Sequence, residues 1–350
     1  MTSGTKRNDP GQGGGIRQLL SKHAILIAFF ALVAIMAIAR PQHFLTTRNM
    51  LNILRQTAVI GIITVGMTFV LISGGIDLSV GSVLSVAGIV CAYLAAPGGP
   101  AMARTGFTER GAGMTEALAA AATFPLIVPV VASVLVGAAF GFVNGVFVAK
   151  GGIAPFIVTM GMMTITRGIA LIISGGGQLP YLTDIFKMIG RGSILGIPYL
   201  GIILIVVILI AAYVLRQTCF GRHVYAVGGN ETAAHTSGVR VDRVKIAVYM
   251  ISGMCAGFAG MLLTSRTAVG SPQVGAGYEL DAIASCVIGG VSLTGGVGNV
   301  FGSFLGVLFI AVMGNGMDMI GLTTYYQSIA KGIIIILAVL YDMKSSKASK

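Results

Sequence analysis

The sequence predicts an all-α polytopic membrane fold of about ten transmembrane helices, with Gly-interrupted segments and a candidate internal repeat. Three observations predict it. Hydrophobic residues make up 55% of the 350 and charged residues only 10%; mean hydropathy is +0.91; and apolar runs recur from residue 24 to residue 341. A soluble domain carries a charged share of roughly a quarter, so this chain has too few charges to cover a water-facing surface. The 51 glycines lie inside apolar runs with no G-X-Y period. That argues against a collagen-like chain and suits close helix–helix approach in lipid. Most of the basic residues behind the net charge of +12 sit between apolar runs. There they read as topology signals rather than as a nucleic-acid surface. Cys91, Cys219, Cys255 and Cys286 are far apart, with neither disulfide-framework nor metal-ligand spacing, and read as buried structural thiols.

A helix needs about 20 apolar residues to cross a bilayer. The candidate spans are 24–39, 57–73, 78–96, 124–149, 153–174, 196–215, 246–264, 280–293, 297–314 and 319–341, the first and eighth being short. Stretches 97–123, 175–198 and 216–245 are polar enough to be loops. The first apolar run ends at Arg40-Pro41 without a small-residue cleavage site, so it reads as a retained helix behind a tail, 1–23. That tail carries Lys6, Arg7, Arg17 and Lys22. The C-terminal tail, 342–350, carries Lys344, Lys347 and Lys350, and segment 216–245 carries Arg216, Arg222, Arg240, Arg243 and Lys245. The positive-inside rule places all three in the cytoplasm. Ten crossings over 24–341 satisfy this, with 216–245 inside after six crossings and 175–198, bearing Asp184, Lys187 and Arg191, outside.

One short pattern occurs twice. Gly74-Gly75-Ile76-Asp77-Leu78-Ser79-Val80-Gly81 is echoed by Gly289-Gly290-Val291-Ser292-Leu293-Thr294-Gly295-Gly296. A Gly pair costs a helix interior roughly 2 kcal/mol relative to Ala, so each copy is expected to break its helix. Neighbouring Ser, Thr or Asp side chains can satisfy the freed backbone groups. Transporters place interrupted helices at equivalent points of two halves, near the translocation path. The span count gives both copies the same direction. Asp77 is flanked on both sides by long apolar runs; an acid there either contacts solute or caps the following helix by accepting backbone N–H bonds, and capping with hinge support is the favoured role.

The longest loop contains Gly228, Gly229, Asn230, Glu231, Thr232, Ala233, Ala234, His235, Thr236, Ser237 and Gly238. Asn230 or Glu231 can open a short helix through Thr232-Ala233-Ala234, and Gly238 is placed to end it. Such a helix either docks into a partner's groove or lies on the membrane face.

Taken with G-G-I-D-L-S-V-G and V-I-G-G-V-S-L-T-G-G-V-G, in this order and spacing, the loop resembles that of permease subunits of ABC-type importers for ribose and related monosaccharides. The resemblance covers about 44–341. It implies a homodimer or pseudo-dimer of permeases in the bacterial inner membrane, a cytoplasmic ATPase and a periplasmic or lipid-anchored sugar-binding protein, with ATP and Mg held by the ATPase and no cofactor on this chain. It also implies that Gly228, Asn230, Glu231, Thr232, Ala233, Ala234, Ser237 and Gly238 form the loop that couples to the ATPase. The general E-A-A-x-x-x-G signature would put an acid at Thr232; here Glu231 stands one place early.

No G-x-x-x-x-G-K-[ST] phosphate loop is present, so ATP-driven transport requires a second chain for hydrolysis. A transport subunit rather than an enzyme is expected, since no nucleophile–base pair or metal-spaced cluster is visible. Neutral sugars call for a path of small and hydroxyl side chains, around Ser79, Ser82, Ser292 and Thr294, with Gly74, Gly75, Asp77, Gly289 and Gly290 shaping the gate. The alternative is an ion-coupled secondary carrier, which expects several carboxylates or His within spans; the sequence reading finds only Asp77 and Asp318.

Overall fold

A computed structural model describes residues 24–97 and 124–348; the expected tail 1–23, nearly all of segment 97–123 and Lys350 lie outside the described residues. Thirteen helices are described, in the order α1 Ala24–Ala39, α2 Thr47–Ile72, α3 Val80–Ala95, α4 Ile127–Ala149, α5 Pro155–Ser174, α6 Asp184–Arg191, α7 Tyr199–Gln217, α8 Cys219–Gly229, α9 Glu231–Thr236, α10 Val241–Thr267, α11 Tyr278–Ile288, α12 Val300–Met319 and α13 Thr324–Ala348. A two-residue hairpin, β1 Ser193–Ile194 with β2 Ile197–Pro198, precedes α7.

Ten apolar helices (α1 to α5, α7 and α10 to α13) fall one for one on the ten expected spans. Six of them, α2, α4, α5, α7, α10 and α12, are long and apolar enough to cross a membrane unaided. The eighth span needs correcting. Expected over 280–293, it is the helix α11 of 11 residues, whose length of about 16 Å covers only half of a hydrocarbon core about 30 Å thick. The second span also differs: α2 starts at Thr47, ten residues before the apolar run, because the Thr46 side chain accepts the Asn49 N–H and caps it. The expected loop 175–198 contains α6, which buries Phe186 and exposes the ion pair Asp184–Lys187 at 2.8 Å. The Lys187 ammonium, by hydrogen bond and charge, holds that carboxyl below its ordinary value.

Helix α10 is the axis of the bundle and packs along α4, α3 and α2. Its seam with α4 is built of glycine on both sides: a Cβ on Gly253 would meet the Gly137 carbonyl, and a Cβ on Gly257 would meet the Ser133 carbonyl. Small residues let the two backbones touch where large apolar side chains gain nothing over lipid. By contrast, α4, α5, α7 and α13 turn large apolar side chains outward, among them Leu135, Ile172, Ile210 and Ile336. Of the cysteines expected to be buried, Cys91 and Cys286 are, Cys255 is half-buried and Cys219 is exposed.

Candidate functional site

The site is assembled where two helices stop inside the protein. At the end of α2, the Gly74 N–H reaches the Leu71 carbonyl and the Gly75 N–H the Val70 carbonyl, both at 2.9 Å, with Gly74 at φ +82°. At the end of α11, the Gly290 N–H reaches Val287 and the Val291 N–H reaches Cys286, again both at 2.9 Å, with Gly290 at φ +83°. Each is a helix end closed by a left-handed residue that only glycine adopts without strain. The second halves of the motif also agree. The Asp77 carboxylate accepts the Ser79 N–H at 3.0 Å and the Ser79 hydroxyl at 2.6 Å. Correspondingly, the Ser292 hydroxyl accepts the Thr294 N–H at 3.3 Å and lies 2.9 Å from the Thr294 hydroxyl. The helix ends are offset by one residue from the sequence register, Gly74 matching Gly290 and Ser73 matching Gly289, whereas Asp77 with Ser292 and Ser79 with Thr294 keep it.

Asp77 is buried, and its second oxygen accepts the Ser252 hydroxyl of α10 at 2.8 Å. Ser252 also lies against Gly66, six residues from the end of α2, so the chain has turned back about 9 Å along α2 by Asp77. The carboxylate therefore receives three donors at membrane depth and fixes the start of α3 against α10. Ser79 extends the network by accepting from Asn144 of α4 at 2.9 Å. Ser82 donates to the Ser79 carbonyl and receives the Thr166 hydroxyl of α5 at 2.6 Å. Ser79 and Ser82, expected on an open path, are each 1% exposed; in this chain they spend their hydroxyls on joining α3 to α4 and α5. Ser292 is buried too, and Gly289 packs on Gly302, whereas Gly290 and Thr294 are exposed.

The segment 216–245 meets both turns. After Thr218 caps it, α8 runs back against the end of α2: Phe220 stacks on Phe69 with centroids 6.4 Å apart. The Tyr225 hydroxyl donates to the Gly298 carbonyl at 2.8 Å. Gly228 then inserts between the two turns, where a Cβ would overlap the Ile72 carbonyl and meet the Gly296 N–H. That N–H instead donates to Ile72 at 2.8 Å, and Gly295 packs directly on Gly74. Three glycine pairs, 74–75, 228–229 and 295–296, thus meet at one point. The first two pairs border a cleft of about 240 Å³ that is also lined by Glu231, Lys245, Tyr249 and Thr294.

Next comes α9, whose N-cap Asn230 accepts the Ala233 N–H at 2.9 Å and whose C-terminal turn uses Gly238 at φ +85°. Both ends fall where the sequence reading put them. Only Ala234 is buried; Glu231, Thr232, Ala233, His235, Thr236 and Ser237 are exposed. Glu231 pairs with Lys245 of α10 at 2.7 Å, which ties the short helix to the bundle axis.

Sequence reasoning missed the other charges inside the bundle. Asp281 on α11 pairs with Lys331 on α13 at 2.9 Å, and Arg167 on α5 donates to the Pro272 and Val274 carbonyls. The partner of each lies 50 or more residues away, so only a fold brings them together. Among the described residues no group of three or more His, Cys, Asp or Glu could hold a metal ion.

A family model described as the permease component of the branched-chain amino acid transport system matches residues 49–339. The chain belongs to this family of transport permeases. Several curated relatives are sugar-transport permeases. The ribose import permease of Haemophilus influenzae is 40% identical over 331 residues, covering 93% of this chain and 94% of the relative. The ribose import permease of Bacillus subtilis is 40% identical, with 94% of each chain covered. The D-allose transport permease of Escherichia coli is 36% identical, with 93% of each covered. No solved structure matches significantly. The permease is thus a multi-pass membrane subunit of the sugar ABC importer type, a transport component rather than an enzyme.

Proposed function

We propose that this permease carries a monosaccharide, or a similarly small polar solute, inward across the bacterial inner membrane, as one half of a permease homodimer driven by a separate cytoplasmic ATPase and supplied by an external binding protein. The observation that carries the reading is the contact of Gly228 with both glycine turns. The short exposed helix α9 follows it directly and has the form of an element that fits a groove in a partner chain. A displacement of α9 by the ATPase would pass through α8 to the end of α2 and to the Gly295–Gly296 stretch of the loop that follows α11. Glycine at 228 leaves no side chain to cushion the movement. Segment 216–245 and both termini would face the cytoplasm, as their basic residues suggest.

In this role Gly74, Gly75, Gly289 and Gly290 are hinge residues, Asp77 anchors the first hinge, and Ser292 and Thr294 shape the second. The ion-coupled alternative is weaker on the geometry: Asp77 has all its donors supplied and Asp281 is already paired with Lys331, so neither is poised as a proton carrier.

The test is purification of the tagged permease from gently solubilised membranes. Co-purification of a stoichiometric ATPase, lost on substitution of Glu231 and Gly238, is the expected result. A permease free of any ATPase that still moves solute in liposomes would reject the reading.

A further inference from the structure

Between α10 and α11 the chain leaves the helical state within the thickness of the membrane. Gly270 lies against Ala92 near the end of α3, and Gly275 lies against Gly81 near its start. These contacts are 11 residues apart along α3, about 16 Å of helix. Between these contacts the chain is non-helical, a bridge at Gly270 followed by turns over 272–277. Segment 270–275 therefore runs antiparallel beside α3, a helix buried along most of its length, and brings the chain from one end of that helix almost to the other before α11 begins.

Non-helical backbone at this depth needs hydrogen bonds that no helix supplies. The Ser85 hydroxyl of α3 donates to the Ser271 and Pro272 carbonyls at 3.2 and 2.9 Å. Gly270 exchanges two hydrogen bonds with Leu179. The Arg167 guanidinium takes the Pro272 and Val274 carbonyls, with Glu279 as its electrostatic partner. Ser271, Pro272 and Gly275 are buried, but Gln273 and Ala276 are exposed. Irregular backbone within a membrane occurs where it is buried in protein or lines a water-filled cavity, not against lipid. A carboxamide presented to hydrocarbon would also cost several kcal/mol.

We infer that segment 270–277 lines the aqueous solute path at membrane depth, with the Gln273 carboxamide as a contact for the hydroxyls of a neutral polyol and with Ser85 and Arg167 as the residues that position it. A carboxamide both donates and accepts, which matches a sugar hydroxyl and leaves no charge on the path. This rests on the transport reading above and adds to it a solute-contacting residue.

The experiment uses the complete importer in membrane vesicles. In a background carrying Cys219→Ser and Cys255→Ala, Gln273→Cys is compared with Ile210→Cys, an exposed position on the apolar outer face of α7, using a charged, membrane-impermeant methanethiosulfonate. At least tenfold faster modification at 273 is expected. Equal rates would place the segment away from water and overturn the inference, whatever the solute is. Alongside, Gln273→Leu should lower uptake at least tenfold for whichever of ribose, arabinose, xylose or allose the wild type takes up, with ATP hydrolysis retained, and Gln273→Asn should keep most of it. Unchanged uptake in Gln273→Leu would remove the contact role. A wild type that takes up none of the four would reject the monosaccharide reading alone.

Discussion

At the end of α2, Ser73, Gly74 and Gly75 close the helix with the same pair of backbone hydrogen bonds that Gly289, Gly290 and Val291 make at the end of α11. Beyond that point the two regions diverge. The first turn leads straight into α3 and is locked by a buried carboxylate that serves three donors. In the second, a serine stands where the first has Asp77, and Thr294, Gly295, Gly296 and Gly298 follow before Asn299 caps α12. One turn is a fixed joint between α3 and α10; the other is longer, richer in glycine and more open. Gly228 touches both. A push delivered there meets one stiff and one compliant partner, and so would move the α11–α12 side of the bundle more than the α2–α3 side.

The largest expected effect tests the stiffness. Asp77→Ala leaves two buried hydroxyls and one N–H without their acceptor, and should lower stability by about 3 kcal/mol, seen as a drop in melting temperature of the detergent-solubilised permease. Ser292→Ala removes a neutral acceptor and should cost about 1 kcal/mol. Equal losses would abolish the distinction between the turns. Next, Gly228→Ala should cost about 2 kcal/mol through overpacking against the Ile72 carbonyl and reduce uptake more than tenfold while ATPase co-purification persists; normal uptake would show that this contact transmits nothing.

The one-residue offset between the turns is sharpened by a smaller pair. Gly289→Ala should cost about 2 kcal/mol because its Cβ would collide with the Gly302 backbone. Gly290→Ala has open space around it and should cost about 1 kcal/mol through its positive φ alone. A penalty at Gly290 larger than at Gly289 would contradict the geometric register. The smallest effect belongs to Lys245→Ala. Its pair with Glu231 is more than half exposed on the glutamate side, so thermal stability should change by less than about 1 kcal/mol.

The origin of these differences is only partly visible in the chain. Hydropathy located ten apolar helices because a bilayer sets both their length and their composition. The Asn230 cap and the Gly238 stop of α9 were also legible, since helix ends are local chemistry between residues three or four apart. Matching the two motifs by letter aligns Asp77 with Ser292 but not the helix-closing glycines, because at Gly289 the reason for glycine is the approach of α12 and not the backbone angle. Ser79 and Ser82 were read as path-lining because hydroxyls in an apolar run look available; their partners, Asn144 and Thr166, are more than 60 residues away.

What the sequence determined by itself is therefore what depends on solvent and near neighbours: a membrane fold, its spans, its basic loop and its helix-breaking motifs. Only the tertiary structure decided that α11 stops halfway, that segment 270–277 lies beside α3 and not in an outer loop, that Asp281 finds Lys331, and that three glycine pairs meet at Gly228. Each of these is a contact between residues distant in the chain, and depth in the membrane belongs to what a segment packs against, which composition does not record.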